Sequence, residues 1–491
     1  MKLKPATVPV LVAVAVLVAA AASSATTMAK PLAVHGGVGH LIAPNDRVEV
    51  GYQVDTPGVK APTGSLYVSN DLHRRFERLP LQLRRPPSTA LRAIVPHRLL
   101  RGQKLFYYAV VRDPKSGRSA TIPAGGARSA ATAWILQKPV IVRLGTHRFG
   151  RPRAPEAIVA RAGPQQVGFE NTSEYQFGPQ TFLVGRDGSI LLHDGLKQRL
   201  LRWQAGQPDS VERSVQLPFF AGDNDVALGP AGSIYVTRLL RDPPRLILYR
   251  LSATGKVLWQ RRLAGDYAGN SGFVLGSNSP LRVAPDGTLY CLVFMGLPGD
   301  EWGWMPVATP AGAPLSATAQ RRGTHWPFQP VAGGLRLLSE TYTPPGAETA
   351  PHEARYALID AHGRLVRAWR VLSRTDLAGT LLTPQLVGGD LVAAVGVTAG
   401  TGAAGKSEYV VLRLGRRGPR VQFSLVPRVW GSQLLTDLRV GPDGRLYQLS
   451  TSPLTGIVIS RYSLGQGALS SWQREVTVAS GRGSQSKPGR S

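Results

Sequence analysis

From Thr181 onward the chain repeats one short phrase: an apolar strand, a glycine-centred turn and a second apolar strand. The clearest copies run Phe182-Leu183-Val184-Gly185-Arg186-Asp187-Gly188-Ser189-Ile190-Leu191, Val226-Ala227-Leu228-Gly229-Pro230-Ala231-Gly232-Ser233-Ile234-Tyr235, Leu281-Arg282-Val283-Ala284-Pro285-Asp286-Gly287-Thr288-Leu289-Tyr290 and Leu438-Arg439-Val440-Gly441-Pro442-Asp443-Gly444-Arg445-Leu446-Tyr447. Weaker copies surround Gly333-Gly334 and Gly388-Gly389-Asp390. The turn glycines fall at 188, 232, 287, 334, 389 and 444, a spacing of roughly 44 to 55 residues that suits propeller blades rather than helical repeats. Asp-Gly and Gly-rich turns fit this reading because tight hairpins need positive φ. Second hairpins follow at Leu248 to Trp259, Tyr356 to Trp369 and Val410 to Gly415, and the sixth copy closes with Ile457 to Leu464. Six copies predict six blades.

Residues 31–135 precede the repeat with a different rhythm. Short alternating runs at Arg47 to Val54, Gly64 to Ser69, Leu91 to Val95 and Lys104 to Val111 read as strands, and the turn Asp113-Pro114-Lys115-Ser116-Gly117 joins the last to Arg118 to Ile122 as a hairpin. Strands about every ten residues with no helical period predict a β-sandwich. The expected fold class is therefore all-β: an N-terminal β-sandwich followed by a six-bladed β-propeller over 178–476. Residues 136–177 read as a connector from which one strand is expected to pack on the propeller. Residues 477–491 read as a Gly/Ser-rich, basic, disordered tail.

The phrase from Gly178 to Gly195, followed by Arg199-Leu200-Leu201-Arg202-Trp203, resembles an NHL-type repeat, with a Pro-containing start, a strand into a Gly turn, a second strand ending in Asp and an Arg-led outer strand. The resemblance covers the first copy and, at the Gly turn, the second, third and sixth. It implies the six-bladed class that includes NHL proteins and regucalcin-like lactonases, and it carries no activity across by itself. Tyr107-Tyr108-Ala109-Val110 and the hairpin after it resemble immunoglobulin-like or fibronectin type III domains, which act as spacers or binding arms. Thr254-Gly255-Lys256-Val257-Leu258-Trp259 is similar to the tryptophan-docking phrase of quinoprotein propellers. It occurs clearly once, so no quinone cofactor is expected, and a tryptophan packed between sheets accounts for it.

Residues 1–29 have the layout of an export signal: Lys2 and Lys4, an apolar run from Val8 to Ala22, and small residues at Ser23, Ala25 and Ala29. An uncleaved N-terminal membrane anchor is the alternative. Cys291 is the only cysteine, which excludes an internal disulfide and cysteine-based metal motifs. Export without disulfides is typical of bacteria, so a secreted or cell-envelope location and a monomer are expected. The formal net charge is +28, mostly from arginine and spread along the chain. Its candidate partners are an envelope protein or an anionic polysaccharide or wall polymer; the alternative source of the charge is genome composition. Export and the absence of any nucleic-acid motif argue against nucleic acid.

Ligands of propellers bind at the channel mouth, where the innermost strands start. Thr181, Asp225 and Asp437 occupy equivalent start positions, four residues before the first Gly of their turns, and Asp225 and Asp437 with Asp223 could hold a hard cation such as Ca²⁺ through oxygen ligands. Capping of strand starts is the structural alternative. The loop Gly296 to Pro306 carries Asp300, Glu301, Trp302 and Trp304, an acidic and aromatic group suited to a sugar ring or a cation, and His325 and Glu340 are candidates for the same mouth. His193-Asp194 ends the second strand of the first copy; adjacent strand residues point to opposite faces, so the aspartate is read as bracing the turn. No catalytic set is recognisable. The expected function is thus a non-catalytic binding or scaffolding protein of the envelope, with two alternatives: a hydrolase or lactonase using a divalent cation in the channel, and a carbohydrate-binding protein.

Overall fold

The computed structural model describes residues 32–465 except 73–74, 85–87, 172–175, 180, 220–224, 242–243, 264–280, 295–301, 323–328, 332–333, 344–351, 401–404 and 431–435. The fold is all-β, an N-terminal sandwich followed by a six-bladed propeller. Among the described residues no helix is long and apolar enough to cross a membrane. The export signal and the tail lie outside the described residues.

In the sandwich, the strand Glu77–Leu83 turns the corner between the two sheets. Its first part pairs with Thr63–Ser69, and its last two residues pair with Ala90–Ile94. One sheet continues through Glu49–Val54 to Val34–Gly37, and the other through Lys104–Arg112 to Ala131–Ile135 and Leu41–Ile42. Alternation sets the core: Leu105, Tyr107, Ala109 and Val111 are buried while their neighbours along the strand face outward. They pack with Leu66 and Val68 of the neighbouring strand on Val50, Tyr52 and Leu91 of the other sheet.

Each Gly-turn phrase forms the inner hairpin of one blade. The six turn glycines, 188, 232, 287, 334, 389 and 444, all have φ between 68° and 88°, the left-handed region in which a Cβ is strained. Blade one is Thr181–Val184, Ile190–Asp194, Arg199–Trp203 and Val211–Gln216; blade two is Val226–Leu228, Ile234–Arg241, Pro244–Leu251 and Val257–Arg262. Blade three has three described strands, Leu281–Val283, Leu289–Phe294 and Trp302–Ala308. Blade four is Gln329–Pro330, Arg336–Tyr342, Glu353–Ile359 and Leu365–Ser373, and blade five is Asp376–Val387, Asp390–Ala399, Lys406–Leu414 and Pro419–Leu425.

Blade six is assembled from both ends of the ring. It takes Leu438–Val440, Leu446–Ser452 and Gly456–Tyr462 from the last copy, and its outermost strand is Ala157–Ala162, antiparallel to Gly456–Tyr462. The ring is therefore closed by a strand that precedes blade one, which ties the start of the propeller to its end. A second strand from the same stretch, Val140–Gly145, runs parallel to Leu365–Ser373 as a fifth strand of blade four. The last copy therefore supplies three strands of its blade, because an outermost strand needs no turn of its own and can come from any neighbouring extended segment.

Apolar side chains between adjacent sheets hold the ring together. Phe182, Leu192 and Trp203 of blade one pack on Leu449, Ile457 and Ile459 of blade six, and Leu391, Val395 and Leu412 of blade five pack on Tyr356, Leu358 and Trp369 of blade four. Tryptophan N–H groups add directional links: Trp259 donates to the Gly312 carbonyl at 2.9 Å, Trp369 to Gly415 at 3.1 Å and Trp203 to Arg161 at 3.2 Å. Buried indole N–H groups need such partners, and these fix how one blade sits on the next.

Candidate functional site

At the axis of the ring the innermost strands bring together residues from four blades. Thr181 and Asp225, at the starts of blades one and two, are joined by a hydrogen bond from the threonine hydroxyl to Oδ1 at 2.9 Å. Leu281 at the start of blade three donates its backbone N–H to Asp225 Oδ2 at 2.9 Å. From blade six, Arg439 reaches across, its Nη2 lying 2.6 Å from Asp225 Oδ1 and 2.8 Å from the Thr181 hydroxyl. All four groups are buried, so the carboxylate of Asp225 is enclosed by donors. A carboxylate taken out of water is held by such partners or not at all.

Arg282 of blade three approaches the same carboxylate. Burial pushes its guanidinium down to about 9, the Arg439 charge adds to this, and Asp225 opposes it. The Nε atoms of both Arg282 and Arg439 are shut off from solvent without a hydrogen-bond partner. One carboxylate thus faces two guanidinium groups.

Asp437, at the equivalent start of blade six, is buried, and Oδ2 makes no hydrogen bond. Burial pushes its carboxyl up to about 6, opposed by a hydrogen bond from Tyr409. The expected cation set of Asp223, Asp225 and Asp437 is therefore placed as follows: Asp225 is committed to protein donors, Asp437 to Tyr409, and Asp223 lies outside the described residues. Among the described residues no group of three His, Cys, Asp or Glu side chains is close enough to hold a metal ion.

The second candidate group is dispersed. Asp300, Glu301 and His325 lie outside the described residues. Trp302 and Trp304 belong to the third strand of blade three rather than to a loop, paired with Phe294 and Leu292. Trp304 and its neighbour Met305 enter separate apolar clusters, as successive residues of a pleated strand do. Trp304 is buried against Ala284 and Tyr290.

Glu340 is brought to the seam between sandwich and propeller. Its carboxylate accepts the backbone N–H groups of His40 at 2.8 Å and Leu41 at 3.0 Å. Burial pushes it up to about 7, against the pull of Arg355 and of those two N–H groups. Arg355, fully buried, binds both oxygens of Asp46 at 2.6 and 2.9 Å, Glu353 at 2.7 Å and the Leu41 carbonyl at 2.7 Å, and stacks on Tyr342. Leu41, Trp134 and Leu136 add an apolar patch packed on Leu338, Ala357 and Ile359. Glu340 and its neighbours thus join the two domains. Asp194 accepts Gly168 N–H and Arg199 Nε, the bracing role its position in the strand implied. Cys291 is fully buried and its thiol is pushed well up by burial, so it is a core side chain.

The residues that sequence reasoning did not single out are Arg282, Arg439 and the Arg355–Asp46 pair. A signal existed for the first two: copies three and six share the tripeptide Leu-Arg-Val at the same place before the turn. No protein-family profile matches the chain, and a search of curated proteins finds no match.

Proposed function

We propose that the chain is an exported binding or scaffolding protein of the cell envelope and performs no catalysis. The observation that carries this reading is the commitment of Asp225. A cation-dependent hydrolase needs carboxylate oxygens free at the channel, and here both oxygens of the best-placed carboxylate are taken by Thr181, Arg439 and Leu281 N–H. What the described residues at the axis offer instead is two guanidinium groups to the one carboxylate of Asp225, in keeping with a chain of net charge +28. The partner proposed is an anionic polysaccharide or wall polymer, with an NHL-like ring as its platform and the fibronectin III-like sandwich as a rigid arm.

The test is co-sedimentation of the full chain with an anionic wall polymer. Retention at low salt that falls steeply as salt rises supports the reading, and retention indifferent to salt, or none, contradicts it. The lactonase reading keeps one observation in its favour, the buried Asp437 with an oxygen that makes no hydrogen bond. Stoichiometric metal in the purified protein, with stabilisation by Ca²⁺, would favour that alternative.

A further inference from the structure

We propose that the axis of the propeller, between Arg282 and Arg439, is a binding site for an oxyanion group, a phosphate or a carboxylate. The proposal rests on the binding reading above and names the chemistry that its ligand presents at the channel.

The argument begins with the repeat. Leu281-Arg282-Val283 and Leu438-Arg439-Val440 are inner strands of blades three and six, which stand opposite one another in a ring of six. In both, the arginine pairs across the hairpin with a tyrosine, Tyr290 or Tyr447. The equivalent positions in blades one and two are Leu183 and Ala227, which bring no charge. Two arginines therefore enter the axis from opposite sides. Arg439 extends far enough from blade six to touch Thr181 of blade one and Asp225 of blade two. Among the described residues, Asp225 is also the carboxylate that acts on Arg282.

Charge and hydrogen-bond capacity both favour an anion as the ligand. Among the described residues, Arg282 and Arg439 share the carboxylate of Asp225, an excess of one positive charge within that cluster. Arg439 uses Nη2, while its Nε makes no bond; no hydrogen bond joins the side chain of Arg282 to any described residue, and its Nε is shut off from solvent. A guanidinium presents five N–H donors in a planar fork that matches the oxygens of a carboxylate or phosphate. Leaving such donors buried and unpaired is costly, and like charge across the axis adds to the cost. An oxyanion between the two forks answers both deficits. A cation would meet the same positive field and would be repelled.

Arg282 is the side chain to change, because it makes no hydrogen bond that the fold depends on. Thermal unfolding of the full chain is followed with increasing inorganic phosphate, ionic strength being held constant with chloride; a second arm uses soluble polyphosphate as a chain-borne source of the same group. The expected result is a saturable rise of the midpoint with phosphate. Arg282→Met should unfold no lower than the wild type without phosphate and bind phosphate roughly 30-fold more weakly, the loss of one charge-assisted fork. Arg282→Lys, which keeps the charge and loses the fork, should lie between the two and guards against a folding defect in the methionine variant. A response to polyphosphate alone would place a chain-borne group at the site and also supports the proposal, provided Arg282→Met abolishes it. Two results overturn it: no saturable response to either probe, or an equal response in all three proteins. If neither probe binds while wall-polymer retention persists and falls with salt, the site fails and the broader binding reading stands. If retention is absent too, both fail.

Discussion

Replacing Arg355 by Met should separate the sandwich from the propeller energetically. Methionine can fill the space of the arginine stem but forms none of its hydrogen bonds. Glu353 would keep its paired bonds from Arg370 at 2.6 and 2.8 Å, so it is not orphaned. Asp46 would keep only the Ala43 N–H at 2.7 Å, and the Leu41 carbonyl would lose its donor. The side chain of Asp46 is 9% exposed, which makes it a nearly buried carboxylate without a counter-ion. Breaking a buried pair in this way costs about 3–5 kcal/mol. Removing the stranded charge as well, in Arg355→Met with Asp46→Asn, should restore about 2 kcal/mol of this, a coupling expected only of groups in direct contact. Urea unfolding of the full chain, read by tryptophan fluorescence, measures both values; Trp134, whose Nε1 donates to the Gly363 carbonyl at 3.3 Å across the seam, reports on it directly. A loss below about 1 kcal/mol in the single variant, or a double variant no more stable than the single, would refute the reasoning.

Four further outcomes rest on the same structure. Glu340 has a folded pKa of about 7 against an ordinary 4.5, so its contribution to stability is present below pH 4.5 and is lost as pH rises through 7. Glu340→Gln should therefore gain about 2 kcal/mol relative to wild type between those limits, allowing for partial exposure, and an unchanged difference between pH 4.5 and 7 would contradict it. His40 beside it acts in the opposite sense: burial lowers it from 6.5 to about 4, so its contribution is present above 6.5 and lost as pH falls through 4, and His40→Gln should flatten the acid side of the wild-type profile. Arg439→Met, unlike Arg282→Met, should destabilise the ring by about 3 kcal/mol in denaturant unfolding, since it strips Asp225 of its counter-ion; equal stability of the two variants would show that their roles are misassigned. Gly287→Ala should cost more than Gly334→Ala, because both need positive φ at about 1 kcal/mol while only at Gly287 would the new Cβ meet Pro310, at 3.0 Å.

The blades were legible because a tight hairpin leaves a local mark: each needs a residue with positive φ, and a glycine supplies it at every one of the six turns. The sandwich strands were legible for a similar reason, since burial of one face writes an alternation into each strand. What the sequence concealed depends on contacts far apart along the chain. Ala157–Ala162 closes blade six by pairing with Gly456–Tyr462, and nothing in an edge strand names its partner. Glu340 is a candidate for the channel mouth in the sequence alone; its partners, His40 and Leu41, lie some 300 residues upstream in another domain. The two Leu-Arg-Val strands were visible as text, yet their facing across the axis follows only once six blades close into a ring. Asp225 was placed correctly at a strand start, and its chemistry was decided by Arg439, 214 residues away.

The most direct test of the channel as an anion site is a crystal of the full chain soaked in selenate and measured at the selenium edge. An anomalous peak between the guanidinium groups of Arg282 and Arg439, absent from crystals of Arg282→Met, is the predicted result. Selenate bound elsewhere with nothing at the axis, or a metal ion coordinated by Asp225 and Asp437, would contradict it.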